Sequence, residues 1–232
     1  MKNCIRTIFA LALLVAAMST ASFASSVYFV QGIAGRNFAA ATDPAFPVDI
    51  LLNDEVCYAR GVAFGTITGP VTFLPGTYAV KISIADSLAP CSNDPLIDTR
   101  LTIEKETDTS AVMTLDEAGT PELLTFHNSL APVTPNLGRV LFALGANSAA
   151  VNVVLENTAT KKTFTFAVKP AGLLDVNLPA GAYTMSVNQG TTQLAGPAPL
   201  FLASQSVNLI YAIGQASNNT VVLETKTLRD VI

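Results

Sequence analysis

The stretch Leu74-Pro75-Gly76-Thr77-Tyr78-Ala79-Val80-Lys81-Ile82-Ser83-Ile84 decides the fold class. Pro75 and Gly76 turn the chain. Tyr78, Val80, Ile82 and Ile84 then alternate with Ala79, Lys81 and Ser83. A period of two sends one row of side chains to a core and the other toward water, which is the pattern of a strand. The turn reads as a structural hairpin whose Tyr opens the next strand, ring inward. The same construction recurs at Leu178-Pro179-Ala180-Gly181-Ala182-Tyr183, ahead of Met185 and Val187. Upstream, Val48-Asp49-Ile50 finds its counterpart in Val151-Asn152-Val153, and the offset between the halves runs from 103 to 105 residues. A repeat of that length means two domains rather than a solenoid.

Period-two runs fill both halves, among them Phe164-Phe166-Val168, Leu174-Val176-Leu178 and Val207-Leu209-Tyr211-Ile213. Turn signals at Asn53-Asp54, Pro75-Gly76, Pro179-Ala180-Gly181 and Asn218-Asn219 separate them. Seven or eight short strands per half is the rhythm of an immunoglobulin-like sandwich. The expected fold is all-β: two tandem immunoglobulin-like antiparallel β-sandwich modules after a cleaved signal peptide. Residues 1–24 form the signal, 25–127 the first module, 128–138 a short stiff linker with two prolines, and 139–232 the second module.

Composition narrows the function classes. Of the 232 residues, 50% are hydrophobic and only 13% charged, which excludes a disordered chain and a coiled coil. Thirteen basic residues against seventeen acidic ones leave no basic stripe for nucleic acid. Lys2 and Arg6, the apolar run Ile8 to Met18, and Ser22-Phe23-Ala24 make the three parts of a secretory signal cleaved after Ala24. The run is too short to span a membrane, and the mature chain holds no longer one. Cleavage removes two basic residues and lowers the net charge from −4 to −6. It also removes Cys4, leaving Cys57 and Cys91. An even pair in an exported chain reads as a disulfide, and no further Cys or His stands near to make a metal site instead.

Val27-Tyr28-Phe29-Val30-Gln31, Pro47-Val48-Asp49-Ile50-Leu51-Leu52-Asn53-Asp54, Gly61-Val62-Ala63-Phe64-Gly65 and Leu74 to Tyr78 resemble a bacterial family, domain of unknown function 4397. Its members carry a "P-x-VDVYVNG" segment, an "AFG" segment and a "LPAGTY" segment. The resemblance extends to a second, divergent copy through Gly138 to Phe142 and Leu178 to Tyr183. There Asn152 replaces the Asp, and no "AFG" segment is evident. Residues 35–46 look like an insertion after the first strand. The resemblance implies a secreted or surface-attached β-sandwich, often in tandem, and brings no catalytic residues with it.

The residues themselves offer little chemistry. His127 is the only histidine, at the edge of the linker, and no G-x-S-x-G elbow accompanies it. Carboxylates group at Asp54-Glu55, Asp94 with Asp98, Glu104 with Glu106 and Asp108, and Asp116-Glu117. None matches a calcium loop or a specific acid-base pair. Leu74-Pro75-Gly76-Thr77 fits a sortase site only superficially, because Tyr78 follows and the segment is internal. No catalytic, cofactor or metal residues are assigned. The expected function is an exported, non-enzymatic structural or interaction protein of the cell envelope or extracellular space. Its partner is a protein or cell-surface polymer, with self-association through edge strands left open. A glycan-binding module is the alternative, and a carboxylate-based hydrolase ranks third. The candidate contact loop is the 35–46 insertion, with Arg36, Asn37, Phe38, Asp43 and Phe46. Phe38 and Phe46 are either anchors for a partner or core residues.

Overall fold

The computed structural model describes residues 24–39 and 42–228. The signal-peptide reading of residues 1–24 falls, but for Ala24, outside the described residues. The first half holds β1 (Ser25–Gln31), a 3-10 turn (Gly35–Asn37), β2 (Val48–Leu52), β3 (Val56–Val62), β4 (Ile67–Phe73), β5 (Gly76–Ile84), β6 (Pro95–Ile103), β7 (Asp108–Leu115) and β8 (Pro121–Asn128). The second half holds β9 (Leu137–Leu144), β10 (Val151–Asn157), β11 (Thr163–Val168), β12 (Leu173–Pro179), β13 (Gly181–Gln189), β14 (Thr192–Leu202), β15 (Val207–Ile213), a 3-10 turn (Ala216–Asn218) and β16 (Val222–Leu228).

These strands make four four-stranded sheets. Two are outer sheets, β3-β2-β5-β6 and β11-β10-β13-β14. Two are inner sheets, β4-β1-β7-β8 and β12-β9-β15-β16. Adding eight to each strand number of the first half reproduces the strand order of the second. Each half is a sandwich of one outer and one inner sheet. The outer sheets are antiparallel throughout, whereas the inner sheets are mixed: β1 pairs parallel with β7, and β15 parallel with β9. In each half the later strand returns to the inner sheet after the chain has built the outer one, the kind of long crossover that parallel neighbours need.

The Leu-Pro-Gly turn is not a hairpin. It carries the chain from β4 in the inner sheet to β5 in the outer one, and its counterpart carries β12 to β13. Tyr78 Oη donates to the Leu74 carbonyl and Tyr183 Oη to the Pro179 carbonyl, both at 2.8 Å. Each ring enters its sandwich core while its hydroxyl closes the corner four residues back.

Three cores result. One lies inside each sandwich, and the third lies between the two inner sheets. It gathers Tyr28, Val30, Val112, Phe126, Val133, Leu141, Ala143, Val207, Leu209, Tyr211 and Ile213. The row Val207-Leu209-Tyr211-Ile213 therefore faces the other half, while Ile210 and Ala212 face their own core. The central inner strands β1, β7, β9 and β15 are buried on both faces, so each holds an unbroken apolar run. The halves share a packed seam with the stacking order outer, inner, inner, outer.

Several polar groups within the seam are paired. Ser110 and Tyr211 hydroxyls lie 2.6 Å apart, and Asn128 Nδ2 donates to Ser110 Oγ at 2.8 Å. Thr114 Oγ1 donates to the Gly145 carbonyl at 2.5 Å. Between β8 and β9 the chain is strapped down by Arg139. Its guanidinium donates to the Ser129 and Ala131 carbonyls at 2.9 and 3.0 Å, with Asp175 at 3.4 Å.

Candidate interaction site

The β5–β6 connection, residues 85–94, is fastened at two points. Its counterpart between β13 and β14 is only Gly190 and Thr191. The longer loop folds back over the outside of β2 and β3. Cys91 forms a disulfide with Cys57 on β3, with Cα atoms 5.8 Å apart. The Asp49 carboxylate, on β2 and buried, supplies the second fastening. Its Oδ1 accepts from the Gly61 amide at 2.8 Å. Its Oδ2 accepts from the amides of Cys91 at 2.9 Å and Asp86 at 3.3 Å. Three charge-assisted bonds offset the cost of burying the carboxylate. In the second half the matching Asn152 is exposed, because no loop covers it.

Within the loop, Asp86 Oδ1 accepts from the amides of Leu88 and Ala89, an Asx turn. Ser92 Oγ donates to the Ala89 carbonyl, and Asn93 Nδ2 to the Ile84 carbonyl. At the apex of this strapped loop Leu88 is 94% exposed, the most exposed large apolar side chain described. A loop held this rigidly meets a partner with little further ordering cost.

The segment after β1, residues 35–46, is packed differently. Phe46 belongs to the core of the first sandwich. Its carbonyl accepts from the buried Gln31 Nε2 at 2.9 Å. Phe38 is 44% exposed, with its ring 5.0 Å from that of Phe46. Asn37 Oδ1 accepts from Thr220 Oγ1 of the second half at 2.8 Å, and Asp43 Oδ1 caps the Ala45 amide. Arg36 is exposed. The segment closes one end of the seam. The sequence gives no sign of a role for Asp86 or Leu88, and Asp49 stands in it only as part of a strand motif. The available signal was the contrast between a ten-residue connection carrying Cys91 and its two-residue counterpart.

Two further clefts border the seam. One of about 470 Å³ is lined by Glu117 from the first half and by Asn147, Ser148, Gln189, Thr192 and Ser217 from the second. Gln189 Oε1 is buried there without a hydrogen-bond partner. Asp116, Glu117 and Glu122 share a second cleft of about 70 Å³, room for a few waters and not for a sugar ring. Burial, then the neighbouring Asp116, raises the pKa of Glu122. Burial also raises Glu224, which lies against Gly65 across the seam, and raises Asp108 despite its hydrogen bonds with Ser26. Tyr211 is pushed strongly upward by its burial in the seam. His127 lies exposed at the end of β8, in a groove with Asp108 and Ser129. Ser129 Oγ accepts from Arg139 at 3.0 Å. Among the described residues no three His, Cys, Asp or Glu side chains converge to hold a metal ion. No described helix is long and apolar enough to cross a membrane.

No curated protein matches the sequence. Among solved structures, a leucine-rich repeat protein from Bacteroides thetaiotaomicron aligns at 16% identity and a TM-score of 0.24, over 83% of this chain and 26% of that one. The TIE protein of Bacillus anthracis aligns at 9% identity and a TM-score of 0.26, over 88% of this chain and 34% of that one. The chain thus spans about a quarter to a third of the length of these two proteins. The family match covers residues 37–154, running from the first half through β9 into β10, and shows one copy of the domain. Those 118 residues are just over half of the 232, and the chain belongs to the family described as Domain of unknown function (DUF4397).

Proposed function

We propose that the protein is an exported, non-enzymatic structural or interaction protein of the cell envelope or extracellular space, and that the strapped 85–94 loop is its contact tip. One observation carries this reading: a disulfide and a buried carboxylate hold rigid a loop whose apex exposes a single leucine. Burying Leu88 against a partner recovers roughly 1.5–3 kcal/mol, and the loop is already ordered. The disulfide supports an oxidising compartment, as the signal-like residues 1–24 do. The repeated strand order supports a second, divergent copy of the domain, each copy built as an immunoglobulin-like sandwich. Partners in this reading are a protein or a surface polymer. The test is binding of the mature chain to fractionated envelope of its own host, with Leu88→Asp as the variant. That change leaves folding intact because the side chain touches only water. Unchanged binding by Leu88→Asp defeats the contact-tip assignment. N-terminal sequencing of the exported protein checks cleavage after Ala24.

A second reading, ligand binding, is favoured by the unpartnered Gln189 Oε1 in the 470 Å³ cleft. The cleft has hydroxyl and amide groups suited to a saccharide but no aromatic platform. Silence across a broad glycan panel ends that reading.

A further inference from the structure

Four open sheets have eight edge strands, and seven of them are blunted. β3 breaks register twice against β2 and carries Arg60 and Gly61. β4 contains Gly69-Pro70 and a register break. β6 and β8 each open on a proline and carry charges. β12 carries Asp175, and β16 carries Glu224 and Lys226. β14 contains Pro197 and Pro199 with two register breaks. Only β11, Thr163-Phe164-Thr165-Phe166-Ala167-Val168, has no proline, glycine, charge or irregularity. It pairs with β10 through six consecutive residues.

The direction of its backbone groups follows from the ladder. The Asn157 amide donates to the Lys162 carbonyl at 2.9 Å, so Lys162 and the even-numbered residues bond to β10. The amides and carbonyls of Thr163, Thr165 and Ala167 therefore point out of the sheet. Such an edge is a template for strand addition. Charge selects the occupant. Lys161 and Lys162 stand at one end of β11 and Lys169 at the other, all exposed; Lys161 pairs with Glu156 at 3.3 Å and Lys162 lies 4.9 Å from the centre of the Phe164 ring. Two copies of β11 pairing antiparallel in full overlap, with pleats matched, would set Lys161 opposite Lys169 at both ends. Like charges directly opposite disfavour that pairing.

We propose that β11 is a β-augmentation site for an extended partner segment of five or six β-forming residues flanked at both ends by carboxylates. The flanking acids meet Lys162 and Lys169. The partner's alternate apolar side chains extend the row of Phe164 and Phe166. This inference rests on the reading of the chain as an interaction protein, yet it concerns a surface separate from the 85–94 loop, so the Leu88→Asp test and the one below fail independently.

The probe is a synthetic nine-residue peptide with a Thr-Val-Thr-Val-Thr centre and two Glu at each end. Its control carries Lys in place of Glu. Binding to the mature chain is read by titration and by NMR shifts of the β11 amides. The Glu-flanked peptide is expected to bind at least about tenfold more tightly than the control and to shift Thr163, Thr165 and Ala167. Thr165→Pro removes one outward amide without touching the β10 ladder, and it is expected to weaken binding about tenfold or more. The double reversal Lys162→Glu with Lys169→Glu, which leaves the backbone alone, is expected to invert the preference. Equal binding of the two peptides, or shifts located away from β11, overturns the proposal. So does concentration-dependent dimerisation of the wild type that Thr165→Pro abolishes, since the occupant would then be a second copy.

Discussion

Replacing Asp49 by Asn keeps the size of the side chain and removes its charge. In the native protein one carboxylate accepts from three backbone amides, those of Gly61, Asp86 and Cys91, at 2.8, 3.3 and 2.9 Å. An amide offers one acceptor oxygen and one donor NH₂. Whichever way Asn sits, its NH₂ faces at least one backbone N–H, and the surviving bonds lose their charge assistance. A hydrogen bond to a charged group contributes roughly 1.5–3 kcal/mol and a neutral one about 1. One bond lost and the others weakened gives an expected destabilisation of about 2–4 kcal/mol. Because the disulfide still tethers Cys91, part of that loss appears as local opening rather than global unfolding. Urea denaturation reports the global part. Hydrogen exchange at the Asp86, Cys91 and Gly61 amides reports the local part, and all three are expected to exchange faster. A change below about 0.5 kcal/mol, with unaltered exchange at these amides, would refute the claim that Asp49 fastens the loop.

Three further outcomes are expected. Replacing both Cys57 and Cys91 by Ser frees a loop with a sequence separation of 34, costing about 4 kcal/mol on the chain-entropy account, measured by denaturant titration. Tyr211→Phe removes the hydroxyl that meets Ser110 in the seam, costing about 1–2 kcal/mol and leaving one cooperative transition; two separated transitions would mean that the halves unfold independently. Glu224 has its pKa raised above its ordinary 4.5 by burial, so the folded state holds that proton more tightly than the unfolded state. Its contribution to stability is full below about pH 4 and is lost as pH rises through the folded value. Glu224→Gln is accordingly more stable than the wild type at pH 7, and thermal melts should show that advantage vanishing near pH 4.

Strands were legible from their period of two because every sheet has at least one face on a core. The alternation of Tyr183, Met185 and Val187 translates directly into the second sandwich core. The destination of the Leu-Pro-Gly turn was not legible, because a hairpin and a sheet-to-sheet crossover use the same turn residues. What separates them is the Tyr hydroxyl closing onto a carbonyl four residues back, a contact that local sequence does not announce. The seam left a sequence trace of a different kind. Val27 to Val30, Ala111 to Met113, Val140 to Leu144 and Leu209 to Ile213 are unbroken apolar runs. Such runs mean burial on both faces, and the period-two reading of Val207 to Ile213 sends one of those faces to water instead. For the candidate site, the disulfide partners were countable in the sequence. The role of Asp49 was not, since a buried carboxylate bound by three amides depends on a loop returning from 37 to 42 residues away.

We propose above that the strapped 85–94 loop is where the protein meets its partner. The direct test places a photo-cross-linking amino acid at position 88 in the living host, with a control at Phe201, which is 66% exposed on β14. One dominant envelope adduct is expected from position 88 and none from position 201, and the adduct is expected to weaken when Cys57 and Cys91 are both Ser. The same adducts from both positions, or an adduct at 88 whose yield is undiminished without the disulfide, would contradict the proposal.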